Sequence, residues 1–511
     1  MIKSVLNLLE ITAHKFPNKV ALKDTHNSVS FLEYQSLAQN IGSSISLSFK
    51  RNYSKPIIVF VDRKIEPLIA FMGVIYSGNF YVPVDNRTPK ERLLSIINVL
   101  QPIAAIGFNS SDYDLIKSLE LDIKYLNYFD LTENSIDFER LTTIRKAALD
   151  VDPVYAIFTS GSTGVPKAVV ISHKSVLDLS NWLIETFAFD ETDILGNQTP
   201  FYFDGSVKDI YISLKTGSTL FIIPPKCFSF PKILIETLAN EKISAILWAT
   251  SAMVLTAKSG ILENISLPEL KKIFFAGEAM FGTHLNIWRK NLPYCQYINL
   301  YGPTEITVDC AYYVVDRDFK DNEVVPIGKA CENKGLLMID ENNQVVEGNG
   351  PGELAVRGTG LALGYFNNPD QTAKSFIQNP KHNHYKDIIY KTGDNVQLNT
   401  LGEFEFIGRK DFQIKHMGNR IELGEIEAAI YTIGSVKQAV CAYDKKREKI
   451  VLFYTANEEI SPEAFLKEIS TRIPKYMFPN RFEYLQEMPM NANEKIDRNI
   501  INQWLNAKDL I

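Results

Sequence analysis

Five short runs of β-branched and aromatic residues, at 57–61, 155–158, 219–223, 243–248 and 273–275, are mostly apolar without a break rather than at every second position. A strand with one wet face alternates, so unbroken runs predict strands covered on both faces, as in an α/β fold built on mostly parallel sheets. Residues 90–100 have helical spacing instead. With 511 residues, 45% of them apolar, the chain exceeds what one hydrophobic core holds, and at least two domains are expected. No tandem repeat, low-complexity tract or Gly/Ser linker marks where one ends.

A net charge of −6 and a pI near 5.8 leave no electrostatic footprint for nucleic acid, and the basic residues are spread rather than clustered. The longest uncharged stretches, 67–84 and 93–111, are broken by polar residues, Gly or Pro, so neither is expected to span a membrane. Glu10 follows the short apolar patch at the N-terminus closely, so no secretory signal and a cytoplasmic location are expected. Cys227, Cys295, Cys310, Cys331 and Cys441 are odd in number and never paired as Cys-x-x-Cys, which suits reduced thiols. His382 and His384 stand in a polar stretch without a third ligand at metal-site spacing and read as a solvated loop.

The run at 155–158 feeds into a loop of glycines, hydroxyls and one lysine, Tyr155-Ala-Ile-Phe-Thr-Ser-Gly-Ser-Thr-Gly-Val-Pro-Lys167. Gly161 and Gly164 allow close backbone approach, and Thr159, Ser160, Ser162 and Thr163 add hydroxyl donors around an anion. A Walker loop needs Gly-Lys-Ser/Thr opening a helix, whereas Pro166 precedes Lys167 and Ala168 follows it. This phosphate cradle belongs to other chemistry. Its companions are Asn299-Leu-Tyr-Gly-Pro-Thr-Glu305, Tyr390-Lys-Thr-Gly-Asp394, Gly408-Arg-Lys-Asp-Phe-Gln-Ile-Lys415 and Asn491-Ala-Asn-Glu-Lys-Ile-Asp-Arg498. In this order they resemble the adenylate-forming enzymes, most closely the amino-acid adenylation domains of nonribosomal peptide synthesis and the D-alanine-activating carrier ligases. Further matching segments begin at Ser30-Phe-Leu-Glu-Tyr34 and include Gly78-Asn-Phe-Tyr-Val-Pro-Val-Asp85, Pro89, Arg92, Gly352-Glu-Leu354 and Gly360-Leu-Ala-Leu-Gly-Tyr365.

The resemblance implies a large N-terminal core of several subdomains at 1–410, holding the ATP and substrate site, and a small mobile α+β domain at 411–511, hinged at Asp411. The implied reaction is attack of a carboxylate on the α-phosphate of ATP, giving an acyl-adenylate and pyrophosphate. Two anions must meet, so a cation, a metal on the leaving group and a fixed nucleotide are required. Lys495 would be that cation, and Glu305 would hold Mg²⁺, a hard ion suited to carboxylate and phosphate oxygens. For ATP the resemblance further implies Thr159, Ser160, Gly161, Ser162, Thr163, Gly164 and Lys167 at the phosphates, and Tyr301 with Asn299 at the base, where Gly277, Glu278 and Ala279 pack alongside. Leu300, Gly302, Pro303, Thr304 and Phe406 complete it, with Asp394 and Arg409 at the ribose. Lys415 and Gly418 fall where the family turns a second face of the small domain to the site for thioester formation on a phosphopantetheine carrier. Here the chain departs from the pattern: Met417, Leu363 and Gln397 replace arginines, Glu494 and Ala168 replace glycines. Only 16 residues follow Lys495 and there is no Gly-Gly pair of the kind that precedes a carrier's serine, so a carrier is expected on another chain or cut away.

Phe203-Asp-Gly-Ser206 resembles the segment whose aspartate grips an α-ammonium, which singles out Asp204. Carried over position by position, the pocket is Asp204, Gly205, Lys208, Trp248, Phe274, Ala276, Leu300, Val308 and Asp309. Lys208 and Asp309 either neutralise each other or bind a polar substrate end, which favours a small or medium polar amino acid. The alternatives are an acyl- or aryl-CoA ligase of the same superfamily, against which Asp204 argues, and a nucleotide-binding protein that has lost catalysis, against which Lys495, Glu305 and Asp394 argue.

Overall fold

The computed structural model describes residues 2–49, 53–159, 166–263, 265–410, 413–490 and 496–506. It divides into two compact units, the first of residues 1–86, 100–157 and 168–410, the second of 87–99, 158–167 and 411–511.

Two large sheets organise the first unit. In one, six parallel strands lie in the order Val20–Lys23, Thr219–Ile222, Ile194–Asn197, Ala245–Ala249, Lys272–Ala276 and Gln296–Tyr301. Antiparallel strands close its edges, Ser28–Ser30 at one end and Ala311–Val314 with Lys329–Ala330 at the other. The second sheet runs Gly364–Tyr365, Lys167–Ser172, Pro153–Thr159, Phe80–Asp85, Pro56–Val61, Ala104–Gly107 and Lys124–Asn127. The unbroken apolar runs fall on strands of these sheets, and both faces of the first sheet are covered as expected. One face joins strands of the second sheet and the helices Leu6–Lys15, Phe31–Ser48, Glu66–Tyr76, His173–Phe187 and Gly205–Thr216 in a common core. The other meets the helices Pro231–Asn240, Thr250–Lys258 and Gly282–Asn291. A third, smaller sheet pairs Lys334–Ile339, Gly352–Gly358, Ile388–Leu398, Phe376–Gln378 and Phe404–Arg409.

Local signals explain the element ends. The Ser30 hydroxyl accepts from the Glu33 amide while the Glu33 carboxylate accepts from the Ser30 amide, a capping box that starts helix Phe31–Ser48. Gly42 and Gly73 let that helix lie against Glu66–Tyr76: a Cβ on Gly42 would sit 2.4 Å from the Tyr76 Cβ, and one on Gly73 2.4 Å from Ile41.

In the second unit the hairpin Gln413–His416 with Asn419–Glu422 leads into helix Leu423–Ile430 and a sheet of Val436–Asp444, Lys449–Ala456 and Arg481–Tyr484. Ser461 caps helix Pro462–Ile469, its hydroxyl accepting from the Ala464 amide at 3.3 Å, with Pro462 at the first position and Glu463 in the first turn, the start that the sequence Ser461-Pro-Glu463 predicts. Residues 90–100 are helical over the span the spacing predicts, and the buried ion pair of Arg92 with Glu425 ties the first part of that helix to this unit.

His173, at the start of its helix, is buried and accepts a hydrogen bond on Nδ1 from the Val5 amide at 3.2 Å. Burial, helped by the Arg145 charge, pulls its imidazole down from 6.5 to about 3. The unfolded chain therefore takes up this proton near pH 6.5 and the folded chain only near pH 3, so this stability is complete above pH 6.5 and is lost as pH falls toward 3. Urea titrations at pH 7 and pH 5 should show a loss of about 2 kcal/mol that a His173→Gln variant does not suffer; equal losses in both proteins would place the acid sensitivity elsewhere.

Candidate active site

Because six strands of the first sheet are parallel, their carboxyl ends emerge on one edge, where ligands of open α/β sheets bind. The chain there turns through Gln198, Thr250, Gly277 and Gly302. The Thr250 hydroxyl bonds the carbonyls of Ala276 and Glu278, each at 3.1 Å, and fixes the turn at Gly277, whose φ of +99° favours glycine. Ala279 lies exposed just beyond.

Tyr301, Asp394 and Arg409, far apart in sequence, meet in one cluster. The Tyr301 hydroxyl donates to one oxygen of Asp394 and an Arg409 Nη donates to the other, while the second Arg409 Nη reaches the Thr392 carbonyl at 3.3 Å. Burial and the Asp394 charge hold the Tyr301 phenol well above its ordinary range, so it stays a donor. Phe406 packs in the same apolar group as Tyr301. Asn299 donates from Nδ2 to the Pro326 carbonyl at 2.8 Å, and this orients the amide so that Oδ1, the acceptor, is left for another partner.

The segment after Tyr301 is compressed. A Cβ on Gly302 would fall 2.3 Å from the Val308 carbonyl oxygen and 2.7 Å from the Asp309 Cα. Pro303 precedes a single 3₁₀ turn, Thr304–Ile306, after which Thr307 and Val308 take φ of +58° and +72°. Two β-branched residues in succession in the left-handed region are strained. The strain is held by the Thr307 hydroxyl on the Gly360 carbonyl at 2.7 Å, the Ala362 amide on the Glu305 carbonyl at 2.8 Å, and Lys334 on the Asp309 carbonyl. Glu305 is buried, with the Tyr365 hydroxyl donating to its Oε1 at 2.8 Å.

Asp204 is half-buried and immediately precedes helix Gly205–Thr216, and its side chain makes no capping bond to that helix. One turn on, Lys208 lies 3.3 and 3.4 Å from the two carboxylate oxygens of Asp309, with side chains 4% and 1% exposed. Phe274, Leu300 and Val308 share the core that carries Lys208's helix, with Ala276 packed against it. Trp248 does not belong with them. Strand alternation turns it to the opposite face, where its indole donates to the Gly196 carbonyl at 2.9 Å and its ring meets Phe228, while Leu247 takes the place among Phe274, Leu300 and Val308. Pleating puts the two neighbours on opposite faces, but both are apolar in a run apolar on both faces, so the sequence carries no signal of which one meets Phe274.

In the second unit, Lys415 pairs across its hairpin with Arg420, and Met417, at φ +50°, and Gly418, at φ +79°, form the two-residue turn. Isolated bridging of Met490 with Ile496 and a two-pronged pair of Arg498 with Glu427, at 2.8 and 2.7 Å, hold the flanks of 491–495. Thr159 has a buried hydroxyl without a hydrogen-bond partner among the described residues, and Lys167 opens its strand. Ser160, Gly161, Ser162, Thr163, Gly164, Glu494, Lys495 and the hinge position Asp411 lie outside the described residues.

Gly302→Ala should displace the backbone at 308–310 and lower stability by about 1–3 kcal/mol, the scale of overpacking a tight site. A variant that melts with the wild type and retains nucleotide binding would contradict the close approach.

The profile of the family described as AMP-binding enzyme matches residues 9–366. The chain is 31% identical to D-alanine–D-alanyl carrier protein ligase of Staphylococcus haemolyticus (strain JCSC1435), over 98% of this chain and 99% of that one. It is 33% identical to zwittermicin A synthase ZmaJ of Bacillus cereus, over 87% and 84%. It also matches tyrocidine synthase 1 of Brevibacillus parabrevis at 30% identity, but there 97% of this chain spans only 44% of the relative. Among solved structures, the adenylation domain AlmE of Vibrio cholerae, in complex with glycyl-adenosine-5'-phosphate, matches with a TM-score of 0.84 at 21% identity, covering 99% of this chain and 98% of that one.

Proposed function

The chain belongs to the family of AMP-binding enzymes, and within it we propose that it activates an amino acid as its adenylate with release of pyrophosphate, then passes the aminoacyl group to the phosphopantetheine thiol of a carrier protein. The observation that carries the first step is the convergence of Tyr301, Asp394 and Arg409 beside the strand-end turns. The Tyr301 ring is the platform for adenine, and Asn299 Oδ1 is an acceptor matched to its amino edge. Asp394 offers lone pairs to the ribose hydroxyls, with its two oxygens already aimed by Tyr301 and Arg409. Thr159 and the loop that ends at Lys167 serve the phosphates. Glu305, a buried carboxylate oriented by Tyr365, is the chemistry Mg²⁺ accepts, and a bound ion would neutralise charge on the leaving pyrophosphate.

In the reaction a carboxylate oxygen of the substrate attacks the α-phosphorus, the bond to the β-phosphate bridging oxygen breaks, and pyrophosphate leaves with that electron pair. Lys495, on the domain of 411–511 that we take as the mobile one, supplies the positive charge where the two anions meet. Lys495→Ala should reduce amino-acid-dependent pyrophosphate exchange by at least about 10²-fold, the scale for one preorganised electrostatic contact, while ATP still binds. Exchange near the wild-type rate would remove the assignment.

Asp204 is assigned to the α-ammonium. At about 4 Å and an effective dielectric of about 20, the attraction is about 4 kcal/mol before desolvation, enough to favour amino acids over acyl or aryl acids. Asp204→Ala should abolish that preference; unchanged amino-acid affinity would show that the substrate is held otherwise.

Lys208 and Asp309 are matched to each other, so a charged side chain entering the pocket would leave one charge unbalanced. We take an uncharged polar side chain as the substrate's. Lys208→Met would strand the Asp309 carboxylate and should lower kcat/KM for every neutral amino acid or shift preference to a basic one; an identical selectivity profile would put the pair outside the pocket.

A further inference from the structure

We propose that Arg63, Asn197 and Asp209 are positioning residues that clamp the loop 198–204 and thereby aim Asp204 at the substrate's ammonium. The inference rests on the reading of Asp204 given above. None of the three stands out in the sequence, and all three lie off the residues that contact substrate in that reading.

The loop starts at Asn197, the last residue of strand Ile194–Asn197, and ends at the helix Gly205–Thr216, which carries Asp209. Asn197 closes it from one end to the other, donating from Nδ2 to Asp209 Oδ2 at 2.5 Å. Arg63 then binds the same residue twice, Nη1 to Asn197 Oδ1 and Nη2 to the Asn197 carbonyl, both at 2.7 Å. The same two nitrogens reach the Thr199 carbonyl at 2.8 Å and the Ile223 carbonyl at 3.0 Å, so one guanidinium spans the end of the strand, the first part of the loop and the segment after Thr219–Ile222. Its Cζ also lies 5.4 Å from the ring centre of Phe201, itself buried edge-on against Phe71. Gln198 accepts from the Ala249 amide at 3.2 Å. Between these anchors the Phe203 amide bonds the Pro200 carbonyl at 3.0 Å, which leaves Asp204 little freedom to shift.

The network's energetics favour a positional role over one in stability. Asp209 is fully buried, its Oδ1 has no hydrogen-bond partner among the described residues, and burial pushes its carboxyl up to about 7 against the opposing pull of Asn197, Lys208 and Arg63. Burial brings the Arg63 guanidinium down to about 10, still cationic at neutral pH. A buried polar cluster with an unmatched oxygen is a poor way to stabilise a fold and a good way to hold one geometry.

The test uses the full chain and the amino acid with the highest pyrophosphate-exchange rate in a panel of the common amino acids and D-alanine. Asn197→Ala and Asp209→Ala should each raise the KM for that amino acid by about 10-fold or more, as expected when a binding group is displaced, and leave the KM for ATP within about twofold. Asp209→Asn, whose amide oxygen can still accept from Asn197, should restore the amino-acid KM. In an Asp204→Ala background, Asn197→Ala should add nothing, because the clamp acts through Asp204. Equal changes in both KM values, or full additivity with Asp204→Ala, would make the network merely structural and overturn the proposal. If Asp204→Ala raises the amino-acid KM and the clamp variants do not, only the clamp falls; if Asp204→Ala itself is silent, the reading of Asp204 falls and the clamp with it.

Discussion

Parallel hydrogen bonding from Val20–Lys23 across to Gln296–Tyr301 is the constraint that builds the site. A parallel ladder demands that every strand return on the same side through a crossover, so each strand ends on the same edge. Asn197, Ala249, Ala276 and Tyr301 are neighbours there for that reason, although as many as 104 positions separate them in sequence. The chain turns after each of them, and turns are where backbone polar groups remain to be matched by side chains such as Thr250, Gln198 and Arg63.

The tightest of these turns comes after Tyr301. It folds back so closely on Gly302 that any side chain there would meet backbone, and it carries two β-branched residues in the left-handed region. Such a conformation costs about 1–3 kcal/mol per residue and persists only when its surroundings over-determine it. The Thr307, Ala362 and Lys334 contacts do so. The consequence is that Glu305, Val308 and Asp309 are fixed by the same short stretch, so the proposed metal carboxylate and one wall of the proposed pocket are set together.

Three buried carboxylates of the first unit each have a side-chain partner. Asp394 is held between a phenol and a guanidinium, Asp309 faces Lys208, and Glu305 accepts from Tyr365. A buried ion pair contributes little net stability, because desolvation offsets the attraction, but removing one partner is strongly destabilising. These contacts are therefore better understood as devices that aim carboxylates in a dry place than as sources of stability.

The fold class and the family were legible in the residues alone, as was the start of the helix at Ser461-Pro-Glu463, because unbroken apolar runs, short motifs and caps are all local signals. Asn299, Tyr301, Glu305, Asp394 and Arg409 each stand in a short pattern visible in the sequence, and the fold brings Tyr301, Asp394 and Arg409 together. Only the folded chain shows which face each residue takes and which distant residues meet. Trp248 and Leu247 are adjacent and equally apolar, yet pleating sends one to each core. Arg63 reads as an ordinary basic residue until the sheet brings Asn197, Thr199 and Ile223 around it. Lys208 and Asp309 could have bound a substrate or each other, and only the approach of one helix to one strained turn resolved it. One cause is common to all three: periodicity and capping act over a few residues, whereas facing, burial and charge pairing are set by contacts between segments whose separation along the chain carries no local signal.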